Sequence, residues 1–162
     1  MKKILVLLAI GVLSSNALVS SAQSMGSDYQ TAVGIKFGWW NGAAIDAKHF
    51  IKDNVAIEGE VSIYNYGAEV NGLYEWYGNF QAVDGLKWYV GGGGHVGGYN
   101  HTYAHNYPDR TSGVFFGPDG VLGVDYKFTG APINLSFDVQ PLFDIPGMYF
   151  NVWGGLGVRF AF

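Results

Sequence analysis

No cysteine occurs anywhere in the 162 residues. Disulfides are therefore excluded, and so is a lipid carried on a processed N-terminal cysteine, so the fold has to hold without covalent cross-links. Charge is scarce as well. Only 14% of the residues are Asp, Glu, Lys or Arg, against roughly a quarter in an ordinary soluble domain. The balance, nine basic residues to thirteen acidic, has the wrong sign for a nucleic-acid partner. Long apolar runs are missing after the first 22 residues, so no later segment reaches the ~18 residues of a membrane helix. Helical spacing is missing there too.

The first 22 residues stand apart from the rest. Lys2 and Lys3 precede an apolar run from Ile4 to Leu13, and Ser20 and Ala22 are small residues placed for cleavage before Gln23. This is the pattern of a secretory signal peptide, too short in its apolar part to span a bilayer. Residues 1–22 are read as the leader and residues 23–162 as one domain. Removing the leader takes away Lys2 and Lys3, leaving seven basic residues against thirteen acidic, a formal −6.

What remains is greasy without any continuous greasy segment. Aromatics make up 17% of the chain and glycine supplies 25 residues. The apolar residues recur at every second position, the period of a strand. Eight such segments follow one another: 31–39, 43–51, 55–63, 70–78, 86–98, 121–128, 133–140 and 149–162. The seventh is the cleanest, with Ile133, Leu135, Phe137 and Val139 set against Asn134, Ser136, Asp138 and Gln140. In the third, Val55, Ile57, Val61 and Ile63 alternate with Glu58, Glu60 and Ser62. Tight turns are expected at 52–54, around Asp84-Gly85 and at 129–132. The longest link is expected between Gly98 and Gly117.

These features predict an all-β, eight-stranded, antiparallel up-and-down barrel that crosses a membrane. A soluble barrel of the same size has the opposite sense, apolar inside and polar outside. Three observations favour lipid outside. The polar face carries many small residues and few charges per strand, as a confined interior requires. Its charges nearly cancel: Asp46, Glu58, Glu60, Glu75, Asp125 and Asp138 against Lys36, Lys48, Lys87, Lys127 and Arg159. An eight-stranded barrel is only wide enough to be filled by side chains, where buried charges must pair. Aromatics also gather near the strand ends. Trp39, Trp40, Tyr64, Phe143, Tyr149 and Phe150 fall at the loop end; Trp76, Trp88, Tyr126, Phe128, Phe160 and Phe162 fall at the turn end. Two such groups read as interfacial girdles.

From Asp28 to Phe162 the sequence resembles the small eight-stranded outer membrane proteins of Gram-negative bacteria, of the OmpA/OmpX type. The segment LGVDYKFTGAPINLSFDVQPLF, Leu122 to Phe143, is similar to the strand–turn–strand unit of short porin-like barrels. The final residues are the most specific part. Gly157, Phe160 and Phe162 match a G-x-x-aromatic-x-Phe ending that, in this family, the barrel-assembly machinery recognises. The resemblance implies a cell outer membrane location, membrane lipid and lipopolysaccharide as surroundings, and a role in envelope integrity or surface contact through the outer loops. A monomer is the default expectation.

Catalysis is not expected. A lipid deacylase needs a Ser or Thr beside an oriented His. The histidines are His49, His95, His101 and His105, and Ser62, Ser112 and Ser136 are the available serines considered. No spacing makes any pair neighbours, so His95 is read as a hydrogen-bonded lumen residue. His101 and His105, with Asp109, lie in a stretch without helical periodicity and make a weak metal set. Gly92 to Gly97 contains G-x-G-x-x-G, but no helix follows it and no acidic partner lies downstream, so no nucleotide or other cofactor is expected. These glycines are expected to bend the strand and to make room for bulky lumen side chains, Trp153 among them. A narrow porin-like channel is the alternative to a filled lumen, and a lipid-modifying enzyme a more distant one.

Overall fold

A computed structural model describes residues 29–38, 42–64, 67–99, 113–145 and 147–162. The leader, Trp39, Trp40, His101, His105, Asp109 and Ser112 lie outside the described residues. The strands are β1 Thr31–Gly38, β2 Gly42–Lys52, β3 Val55–Tyr64, β4 Gly67–Asn79, β5 Leu86–Tyr99, β6 Gly113–Lys127, β7 Ile133–Asp144 and β8 Tyr149–Ala161. Each pairs antiparallel with the next, and β1 pairs with β8, so the sheet is a closed eight-stranded up-and-down barrel.

Closure continues past the last named pair. Phe162 O accepts from Gln30 N at 3.2 Å and from Thr31 N at 2.8 Å, while Phe162 N donates to Thr31 O at 2.8 Å. A closed sheet leaves no row of unpaired backbone groups, and here the seam is paired through the final residue. The tight turns fall where the sequence places them, with Gly130 at φ 80°, a conformation that only glycine adopts cheaply.

The alternation sorts the two faces. Ile45 is 65% exposed, Leu122 61% and Phe160 57%, whereas Lys36, Glu60, Glu75 and Asp138 are wholly buried. Apart from Lys52 at the end of β2, no Asp, Glu, Lys or Arg of the eight strands is exposed. Outward aromatics pair along the turn-end rim: Tyr74 with Trp76 at 4.9 Å between centroids, Tyr126 with Phe128 at 4.8 Å, Phe160 with Phe162 at 5.9 Å.

Three expectations are corrected. The link expected from Gly98 to Gly117 is shorter by a few residues, because β5 runs to Tyr99 and β6 begins at Gly113. The stretch GVFFGPDG looks like a loop by its glycines and Pro118, yet it keeps the period of two, with Phe115 inward and Phe116 outward. Val55, expected outward, is only 5% exposed, beside a register shift between Phe50 and Lys52. The room beside Trp153 comes from Gly38 on β1 and not from the β5 glycines, since a Cβ on Gly38 would stand 2.8 Å from the indole Nε1.

Gly123 has the same use on the other side of the lumen. A Cβ there would overlap the Tyr89 ring and press on Asp138 Cβ. Gly123→Leu is expected to cost about 1–3 kcal/mol by overpacking, measured by urea unfolding in lipid vesicles, whereas Gly59→Leu, whose Cβ would meet open space, should be far milder.

Candidate functional site

The barrel brings its charged side chains together in the lumen. Glu58 on β3 is the point of convergence. Its carboxylate meets Lys36 Nζ at 3.0 Å, Lys48 Nζ at 2.7 Å and Arg159 Nη2 at 2.8 Å. These cations come from β1, β2 and β8, so one acid ties together strands that are far apart in sequence.

Each cation then reaches further. Lys36 also binds Glu60 and lies 2.8 Å from Asp138 on β7. Lys48 lies 3.0 Å from Glu75 on β4 and donates to the Tyr77 hydroxyl at 2.5 Å. Its ammonium also stands 4.2 Å from the centre of the Tyr89 ring, close enough for a cation–π contact. Arg159 Nε binds Asp46 on β2, and its Nη1 donates to Asn134 Oδ1 at 3.2 Å. Neutral residues donate to some of the remaining acceptors, while Asp46 Oδ1, Glu60 Oε2 and Glu75 Oε1 are buried without a hydrogen-bond donor among the described residues. Gln140 donates to Glu60 at 2.9 Å, Tyr89 to Asp138 at 2.7 Å and Asn134 to Asp125 at 2.7 Å. Every one of these side chains is buried. A buried ion pair needs good geometry and further hydrogen bonds to its other lone pairs, and these neutral donors supply part of them.

One of the eleven residues expected in this network is directed to the turn end instead. Lys127 Nζ donates to the carbonyls of Phe128 at 3.0 Å and Ala131 at 2.7 Å, closing the β6–β7 turn. Lys87 is half-buried at the turn end, its Nζ 5.5 Å from the Phe50 ring centre. At the centre, Lys36, Lys48 and Arg159 lie among Asp46, Glu58, Glu60, Glu75, Asp125 and Asp138, and Lys87 stands opposite Asp125 in the β5–β6 register. Gly157, Phe160 and Phe162 sit on β8 or directly after it. Phe160 and Phe162 point outward, and Gly157 leaves room for Ser136 Oγ on the inner wall.

Among solved structures, the crystal structure of the N-terminal β-barrel domain of Pseudomonas aeruginosa OprF aligns with a TM-score of 0.62. Its identity to this chain is 16%, and the alignment covers 83% of this chain and all of that one. The two share the barrel fold. No protein-family model matches the sequence, and no curated protein matches it.

Nearer the loop end, His95 is held between two acids. Its Nδ1 lies 2.5 Å from Asp119 Oδ1 and its Nε2 3.2 Å from Asp144 Oδ1. Both aspartates are absent from the sequence reading, Asp119 because GVFFGPDG resembles a loop. Parity would have found them: Asp119 is in step with Asp125, and Asp144 with Asp138. Among the described residues no Ser or Thr bonds to His95. The hydroxyl–imidazole contact present is Thr31 Oγ1 with His49 Nδ1 at 2.9 Å, exposed on the outer face with no carboxylate bonded to the ring. A nucleophile–base–acid relay therefore has no counterpart among the described residues.

Proposed function

We propose that this chain is a non-catalytic outer membrane β-barrel protein with a side-chain-filled lumen, serving envelope integrity or surface contact through its outer loops. One observation carries the reading: strand charges are confined to the inner face while large apolar side chains cover the outer face. A soluble protein rarely exposes a contiguous apolar patch beyond a few hundred Å², and here the patch encircles the molecule. Lipid satisfies that surface, and a closed barrel is one of the two backbone arrangements a bilayer permits. The neighbouring contacts are then membrane lipid and lipopolysaccharide.

In the same reading residues 1–22 direct export and are removed, and Gly157, Phe160 and Phe162 engage the barrel-assembly machinery. Deleting Phe162 should slow insertion more than it weakens the folded barrel. Refolding tests the proposal. The mature chain should fold only with detergent or lipid present and should migrate differently on a denaturing gel before and after boiling. Ready folding in plain buffer would overturn it. The convergence of Lys36, Lys48 and Arg159 on Glu58 supports a closed lumen over a channel. Folded protein in planar bilayers is expected to carry no resolvable steady current, and a reproducible conductance step would restore the channel reading.

A further inference from the structure

At the turn end of the lumen, a residue that belongs to no strand packs against the inward aromatic cluster. Tyr29 precedes β1, and its ring stands edge-on to Phe50 at 5.2 Å between centroids and 87° between planes. Phe50 continues to Tyr77 at 4.7 Å, and Tyr77 stacks on Tyr89 at 5.1 Å. The four rings come from β2, β4, β5 and the segment before β1, so together they cross the barrel. Ala56, Leu73 and Val121, all buried, pack with them in one cluster, Ala56 directly opposite Phe50. The Tyr29 hydroxyl reaches past the rings and donates to Asp125 Oδ2 at 3.0 Å, so it touches the edge of the ion network.

The backbone next to Tyr29 is fastened on both sides. Gln30 N donates to Phe162 O at 3.2 Å, and Gln30 O accepts from Phe50 N at 2.8 Å. The first bond exists only when β8 has closed against β1, and the second only when β2 is in register. The position of Tyr29 is thus a consequence of barrel closure. Among the described residues its ring has one hydroxyl bond and one edge-on aromatic contact, fewer ties than a paired strand has, and such elements open locally before the whole fold does.

We propose that Tyr29 is a latch that seals the turn-end mouth of the lumen once the seam between β1 and β8 has formed, keeping water on that side away from the aromatic stack and the charges behind it. The ring provides the seal and the hydroxyl sets its position. This rests on the structure of the lumen and not on the membrane reading, because a barrel in any solvent would have the same mouth.

The absence of native cysteine makes the test direct. A single reporter thiol is placed at Ala56→Cys, buried in the cluster against which Tyr29 packs, or at Leu142→Cys, buried near the loop end. Labelling by a small charged maleimide is followed in detergent-folded protein, with the boiled and unboiled gel shift confirming that each variant is folded. In the Tyr29→Ala background the Ala56→Cys thiol is expected to label about tenfold faster, while Leu142→Cys is unchanged. Tyr29→Phe keeps the ring and should stay close to the parent rate. An unchanged Ala56→Cys rate in Tyr29→Ala would overturn the proposal. Equal acceleration at both reporters would overturn it too, since that means general loosening and not the opening of one mouth.

Discussion

Replacing Arg159 with Met should cost the folded barrel about 3–5 kcal/mol, the range for breaking a buried ion pair from one side. Arg159 is the bonded cation of Asp46, one of three on Glu58, and a donor to Asn134. Met fills much of the volume but leaves Asp46 buried with its charge uncompensated. The measurement is urea unfolding in lipid vesicles with a gel-shift or fluorescence readout. Adding Asp46→Leu to Arg159→Met should recover part of the loss, because two apolar residues can replace a buried pair at little net cost. A loss below about 1 kcal/mol would mean that the pair is hydrated and behaves like a surface salt bridge.

The second large effect concerns the outer face. Leu122, on the central part of β6 and pointing outward, is exposed and has no polar neighbour on its own face of the strand. Leu122→Arg is expected to cost about 2–4 kcal/mol in bilayers, as arginine does on the lipid face near the midplane. The same substitution on a water-exposed surface would usually fall within about 0.5 kcal/mol. The two cases differ enough to separate the membrane barrel from a soluble one with the same backbone. Val114→Arg, toward the loop end of β6, should cost less, since the penalty falls toward the interface.

Much of this architecture is legible in the sequence because a strand's side chains alternate strictly. Once Asn134, Ser136, Asp138 and Gln140 are seen to share a face, their burial follows, and so does the exposure of Ile133 and Phe137. The extent of β6 is harder. Gly117, Pro118 and Gly120 argue for a loop by local propensity, and pairing with β5 overrides it, Gly94 lying opposite Pro118 and Gly92 opposite Gly120. The identity of the ion pairs is legible only within a hairpin, as for Lys48 opposite Glu58 across the β2–β3 turn. Lys36 and Glu60 are 24 positions apart, and Arg159 and Asp46 are 113. Their meeting depends on tilt and stagger across the lumen, which alternation within a strand does not encode. The same holds for Lys127, which has the correct parity for the network but lies one layer too near the turn. Tyr29 could not be found by periodicity, because it stands outside every strand.

In the proposed membrane barrel the outer face meets lipid while the charges lie within. Nitroxide labels on single cysteines at Leu135, Phe137 and Val139, introduced one at a time into the cysteine-free chain in liposomes, test this most directly. All three should be relaxed strongly by oxygen and weakly by a water-soluble nickel complex, with the contrast changing smoothly with depth along β7. Strong relaxation by nickel at all three positions, in protein confirmed as folded, would place that face in water and contradict the account.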